Sequence, residues 1–313
     1  MSNIIFRILP NIEDISLFDD SFSHKKSDND KNNNIREETI ENMEFIEDSY
    51  FTDPIYGARW TNLKTQFAEC VSQIQDKPFT TYKIVRMSGR LNNYDFKFIF
   101  LNEFKQQICE CKIEFKHGSS SIYKLPQFLS LADNFNMLDC DASSYGLYFY
   151  EKYLDQYLLL DPSITSPKPD KSVYVKYIGS VSVKPEVSPF FSELKIKESI
   201  KKKEKFNLVN ESIKEYLQLY AHTINLPKLA EKIRVSQDNK IFMMWHNNKF
   251  NIERMMAQPK VNNTLEYIGI KNNNTILVKS ENYMYELLLR WRNHKGILNP
   301  AWQIKVKQLT MRL

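Results

Sequence analysis

Residues 84–130 read IVRMSGRLNNYDFKFIFLNEFKQQICECKIEFKHGSSSIYKLPQFLS, and this stretch decides how the chain is read. Two segments in it, NNYDFKFIF at 92–100 and CKIEFKHG at 111–118, alternate apolar and charged residues with the period of a β-strand. On the first, Asp95, Lys97 and Ile99 share a face opposite Phe96, Phe98 and Phe100. On the second, Ile108, Glu110, Lys112, Glu114 and Lys116 share a face opposite Cys109, Cys111, Ile113 and Phe115. A hairpin turn near Glu103–Gln106 places residues whose numbers sum to about 209 across from each other, so Asp95 faces Glu114. Two carboxylates and a lysine then meet at one end of the hairpin. The bland reading is a charged edge that keeps a sheet soluble, since alternating Glu and Lys is what a solvated strand face looks like.

Two carboxylates held that close repel, and leaving both ionised calls for a cation. Mg²⁺ is the usual one where oxygen ligands meet a phosphate, with Mn²⁺ as its substitute. Such an ion polarises a phosphoryl oxygen and activates a water, while a neighbouring lysine offsets the charge that develops on the phosphate. The pattern resembles the PD-(D/E)xK nuclease superfamily over about 80 residues, from Trp60 to Leu138. Asp95 matches the first acid, Glu114 and Lys116 match the (D/E)xK pair, and the carbonyl of Phe115 takes the place of the backbone metal ligand. The resemblance further implies a polar contact from Gln127 on a following helix and a basic lead-in at Gly89-Arg90. It departs from the pattern at Tyr94, where a proline would stand, and at Glu69, which falls opposite the apolar stripe of its helix. The implied fold is α/β, a mixed restriction-endonuclease-like core with a C-terminal helical and β-hairpin region. The implied function is metal-dependent hydrolysis of nucleic acid, with DNA as the expected partner and endonucleolytic cutting as the expected mode. The chain is also faintly similar to uncharacterised proteins of large DNA viruses, a likeness that carries no residues. A rival pair, Glu110 and Lys112, lies about 13 Å along the strand and faces Ile99 rather than an acid.

Composition bounds the alternatives. At 313 residues and 42% hydrophobic, the chain can bury one large core or two smaller ones. No apolar run reaches the roughly 18 residues of a membrane span, and the start has no secretory h-region, so an intracellular protein is expected. The four cysteines, Cys70, Cys109, Cys111 and Cys140, lack CxxC spacing and read as buried thiols. The seven glycines form neither GxGxxG nor a P-loop, and there is no HExxH. His117, directly after Lys116, reads as a turn residue.

Charge is uneven. Residues 1–56 hold 13 Asp and Glu against 5 Lys and Arg, an excess of eight negative charges. With a net charge of +5 overall, the remainder carries an excess of thirteen positive ones. A basic body suits phosphate-rich partners.

Residues 19–40 contain almost nothing apolar, and the expectation is a disordered acidic tail over 1–50. The nuclease-like core is expected over 51–200 and the helical and hairpin region over 201–313. Within the core, Trp60, Leu63, Phe67, Cys70, Val71 and Ile74 recur at helical spacing. KLPQFLSLADNFNML and YGLYFYEKYLDQYLLL also read as helical, and DPSITSPKPDK reads as a loop. NESIKEYLQLYAHTI reads as a helix opening at a half-formed cap on Asn210. Downstream, KIFMMWHNNKFNIERM, EYIGIKNNNTILVKS and LLLRWRNHKGILNPAWQIKV each place a turn between two alternating segments, the pattern of a hairpin. In the last, Arg290, Arg292, His294 and Lys295 interleave with Trp291 and Trp302, a combination that can grip phosphates and stack on bases. A Trp-anchored hairpin with a basic outer face explains it equally well. Two other readings stay open: a nucleic-acid-binding protein on the same fold without catalysis, and an interaction protein that binds its partner through the acidic tail.

Overall fold

A computed structural model of the chain describes residues 9–22, 28–75, 78–87, 92, 94–139, 144–179, 188–197, 202–254, 264–292 and 299–309. In chain order they form α1 (Asn29–Glu41), α2 (Asp48–Thr52), α3 (Gly57–Ile74), β1 (Thr81–Arg86), β2 (Phe96–Leu101), β3 (Gln107–His117) and β4 (Leu129–Ala132). Next come α4 (Tyr145–Lys152), α5 (Leu154–Leu159), α6 (Lys171–Gly179), α7 (Pro189–Lys197), α8 (Lys202–Tyr220) and α9 (Leu226–Gln237). The chain continues through β5 (Lys240–His246), β6 (Lys249–Arg254), β7 (Glu266–Lys271), β8 (Thr275–Lys279), β9 (Tyr283–Arg292) and β10 (Asn299–Gln308). The class is mixed α/β, in two units: Met1–Lys124 with Ser236–Gln258, and Leu125–Val235 with Pro259–Leu313. The expected boundaries at 50 and 200 therefore do not match how the chain divides, because β3 and β5 belong to one sheet.

The first unit holds a five-stranded sheet in the order β1-β2-β3-β5-β6. Strands β1, β2 and β3 run antiparallel, β5 joins β3 in parallel, and β6 closes the edge antiparallel to β5. The pairing of β2 with β3 keeps the expected register, with Phe96 across from Ile113 and Ile99 across from Glu110, until a bulge at Phe100/Leu101. One sheet face buries Phe96, Phe98, Phe100 and Ile113 under α3, whose stripe of Trp60, Leu63, Phe67, Cys70, Val71 and Ile74 is fully buried. Phe67 meets Phe98 and Phe250 edge to face at 6.1 and 6.0 Å. Each such side chain contributes about 1.5–3 kcal/mol by leaving water. The turn between β5 and β6 needs left-handed backbone at Asn247 and Asn248 (φ 50° and 60°), which asparagine tolerates better than most residues.

The acidic N-terminal segment is folded where it is described. Arg36 on α1 is buried and donates from Nε to the carbonyl of Leu17 at 2.8 Å. Two indoles fasten the segment to the core: Trp60 donates to the carbonyl of Ile12 (2.8 Å), and Trp245 to that of Phe18 (2.6 Å). The expectation of disorder over 19–40 fails because the sparse apolar residues in and beside it, Ile15, Leu17, Phe18, Ile40, Met43 and Ile46, are all buried. Residues 23–27 lie outside the described ones.

In the second unit the sheet order is β4-β10-β9-β8-β7, antiparallel throughout. The strand pairs of the hairpins expected over 266–280 and 287–306 form, the first turning through Asn272 and Asn273 at φ 52° and 60° and the second through residues outside the described ones. The helix expected over KLPQFLSLADNFNML does not. Pro126 cannot donate within a helix and disfavours helical backbone at Leu125, while Leu129 and Leu131 alternate with Ser130 and pair with β10 as β4. Helix α8 begins at Lys202, so Asn210 lies inside it rather than at its cap. The loop at 161–170 is anchored by a buried pair, Lys205 Nζ to Asp161 Oδ2 at 2.5 Å.

Candidate functional site

The site stands at the end of β2 and β3. Asp95 lies just before β2: its amide donates to the carbonyl of Ile113, the residue opposite Phe96, at 2.8 Å, and its own carbonyl accepts from Met87 N–H at 2.8 Å. One step beyond, the side chain takes over from the backbone, and Asp95 Oδ2 accepts the amide of Phe115 at 2.8 Å. The carboxylate thereby caps the open end of the strand pair, near enough for the charge of Glu114 to act on it.

Glu114 is held from two sides. Its Oε1 lies 2.5 Å from the ammonium of Lys116, two residues on and on the same strand face. Its Oε2 lies 2.9 Å from Nζ of Lys240, which heads the neighbouring β5. The side chains of Glu114 and Lys116 are 14% and 29% exposed, so solvent reaches both, whereas Lys240 is 2% exposed. A further carboxylate is Glu37 on α1. The guanidinium of Arg86 at the end of β1 donates to Glu37 Oε2 from Nε (3.1 Å) and Nη2 (2.9 Å), to Glu38 Oε1 (3.1 Å) and to Asn34 Oδ1 (3.0 Å).

The electrostatics follow from this crowding. Burial first, and then the negative charge of Glu114, push the Asp95 carboxyl up to about 7. Burial also raises Glu37. Burial would raise Glu114 as well, but the ammonium groups of Lys116 and Lys240 outweigh it and hold that carboxyl below its ordinary value. Burial lowers Lys240, whereas Glu114 and Asp95 overcome burial to raise Lys116. Two carboxylates thus stand against two ammonium groups, with the Glu37–Arg86 pair beside them.

The donors available to a cation are the Asp95 and Glu114 carboxylates and the Phe115 carbonyl, hard oxygen atoms that suit Mg²⁺ or Mn²⁺ and not a thiophilic metal. Among the described residues no three or more His, Cys, Asp or Glu side chains are grouped to hold a metal. A cation at this point would therefore rest on two carboxylates and a backbone oxygen, and would share Glu114 with two lysines.

Gln127 is half-buried in the extended lead-in to β4, not on a helix, and belongs to the second unit. Trp291 is not an open stacking platform: its indole donates to the Tyr145 hydroxyl at 3.0 Å and packs edge to face on Phe149 at 4.9 Å. Arg290 is exposed and donates to Gln303 Oε1 at 2.7 Å. Arg90, His294, Lys295 and the side chain of Arg292 lie outside the described residues. The rival Glu110 forms an ion pair with Lys97 at 3.0 Å, across the sheet from Ile99. His117 faces Asp20, with Nε2 3.8 Å from Oδ1.

Lys240, Glu37 and Arg86 escaped the sequence reading. Lys240 left one trace, a cation placed directly before the apolar run IFMMW, whereas nothing local marks Glu37 or Arg86. Among known proteins, no family model, no curated protein and no solved structure matches the chain. No helix among the described residues is long and apolar enough to cross a membrane.

Proposed function

We propose that the first unit is a metal-dependent nuclease core that hydrolyses phosphodiester bonds, with DNA as substrate and endonucleolytic cutting as its mode. The observation that carries this reading is the end of the β2–β3 pair, where Asp95, next to Phe96 opposite Ile113, caps the Phe115 amide within reach of the charges of Glu114 and Lys116, which share a strand face. The succession of α3, a strand, a strand headed by Asp95 and a strand bearing Glu114 and Lys116 in one mixed sheet supports a restriction-endonuclease-like arrangement. Asp95, Glu114 and the carbonyl of Phe115 would hold Mg²⁺ or Mn²⁺, which when bound supplies Lewis acidity and an activated water. Lys116, partly open to solvent, can turn from Glu114 to the scissile phosphate and offset the charge growing on its oxygens. Asp95 fixes the amide of Phe115 and so sets where the neighbouring carbonyl points.

The test is cleavage of plasmid and of single-stranded oligonucleotides with Mg²⁺ or Mn²⁺. Asp95→Asn and Lys116→Ala are each expected to lower cleavage by about a hundredfold or more, the scale of losing one electrostatic stabiliser. Asp95→Asn is also expected to keep or improve affinity for nucleic acid without metal, because it removes a like charge. Wild-type cleavage by either variant would move the chemistry elsewhere.

A second reading is nucleic-acid binding on this fold without catalysis. It is favoured by one observation: both oxygens of Glu114 are already engaged by lysines. Salt-sensitive binding with no cleavage under any divalent cation would select it.

A further inference from the structure

The lysine on β5 has no counterpart in the Asp95–Glu114–Lys116 pattern, yet its 2.9 Å contact with Glu114 is within the range of a charge-assisted hydrogen bond. We propose that Lys240 is a resident competitor for the divalent cation: its ammonium holds Glu114 Oε2, so the ion can load only by displacing it. The inference rests on the metal-dependent reading and adds a control on it.

Three observations support the proposal. First, the local charge is already balanced even with Asp95 ionised, since Lys116 and Lys240 match Asp95 and Glu114 one for one. A dication adds to a neutral cluster rather than to a negative one, and much of the Coulombic attraction that normally draws it in is cancelled. Second, Lys240 is 2% exposed, so water cannot take over its solvation if it leaves Glu114. Lys116 differs here, because its exposure lets it exchange Glu114 for solvent or phosphate. Third, the Lys240 ammonium lies 5.0 Å from the centroid of the Phe242 ring, a second place to rest once the glutamate is taken. Lys240 is thus a positioning residue: it aims Glu114 and sets the threshold at which metal enters.

The experiment is calorimetric titration of Mn²⁺ into the full-length protein without nucleic acid, for wild type, Lys240→Met, Lys240→Gln and the Lys240→Met/Glu114→Gln double variant. The two single variants are expected to bind Mn²⁺ about tenfold or more tightly than wild type, and the double variant to lose that gain. Thermal melting gives an independent readout: removing Lys240 leaves Glu114 with one partner fewer, so added Mn²⁺ should raise the melting temperature of the variants more than that of wild type. Lys240→Gln keeps a polar group at the position and serves if Lys240→Met does not fold. Wild-type binding with equal or weaker affinity in the folded single variants would overturn the role of Lys240 and leave the metal reading standing. Absence of Mn²⁺ binding in every variant would overturn both. A gain that survives Glu114→Gln would place the ion elsewhere and overturn the proposal.

Discussion

Asp95 carries a carboxyl group that folding makes harder to ionise, and this gives the site a pH signature independent of any activity. Its pKa rises from 3.8 to about 7, because burial and the charge of Glu114 both favour the protonated form. A carboxyl raised in the folded state contributes stability that is fully present below about pH 4 and is lost as pH rises through about 7. Asp95→Asn keeps an acceptor for the Phe115 amide and removes the charge. In the absence of divalent cations this variant is expected to be roughly 1–2 kcal/mol more stable than wild type at pH 8, with the gap closing by pH 4. Glu114 shifts in the opposite direction, so its own contribution is present above its unfolded pKa and lost at low pH, in both proteins alike. Urea unfolding across that range measures the difference. A variant less stable than wild type at pH 8 would mean that the ionised carboxylate is held by its neighbours rather than strained by them.

At the scale of elements, those legible in the sequence are the ones whose pattern is local. The alternation in β2 and β3 shows both faces and the register from Phe96 opposite Ile113 onward, so the nearness of Asp95 to Glu114 could be read without a structure. The asparagine pairs at 247–248 and 272–273 marked their hairpins for the same reason, since left-handed backbone is a demand on a single residue. The segment 124–138 reads as a helix in the sequence because a short apolar run fits a helix and a strand about equally, and its pairing with β10 lies far away in the chain. Helix α1 was unreadable for a different reason: what holds it is contacts to distant parts of the chain, Arg86 on Glu37 and the buried Arg36 on the Leu17 carbonyl, not a local helical pattern. That dependence is testable. Arg86→Ala removes four charge-assisted or polar contacts to Asn34, Glu37 and Glu38. Amide exchange over residues 29–41 is expected to quicken by about tenfold, with a loss of about 1–3 kcal/mol in stability. Unchanged protection of α1 would mean that its apolar contacts alone hold it.

For the whole molecule, the separation of an acidic N-terminus from a basic body is plain in the sequence, but its meaning is not. Read alone, the charge excess suggests a flexible tail that competes with phosphates for a basic surface. The structure turns the described part of that tail into a piece of the first unit, tied down by Trp60, Trp245 and Arg36. The division of the chain was equally hidden, since β3 finds its parallel partner β5 only after more than a hundred intervening residues, most of them in the other unit. Deleting residues 1–50 is therefore expected to act on folding before it acts on binding. The deletion removes Ile15, Leu17, Phe18, Ile40, Met43 and Ile46 from the core and leaves two buried indole N–H groups without acceptors. Six apolar side chains are worth on the order of 10 kcal/mol as an upper bound, comparable with the whole stability of about 5–15 kcal/mol typical of a folded domain. The truncated protein should lose the cooperative melting of the first unit and expose apolar surface to a hydrophobic dye. A truncated protein that melts like wild type and binds nucleic acid more tightly at low salt would restore the picture of a detachable competing tail.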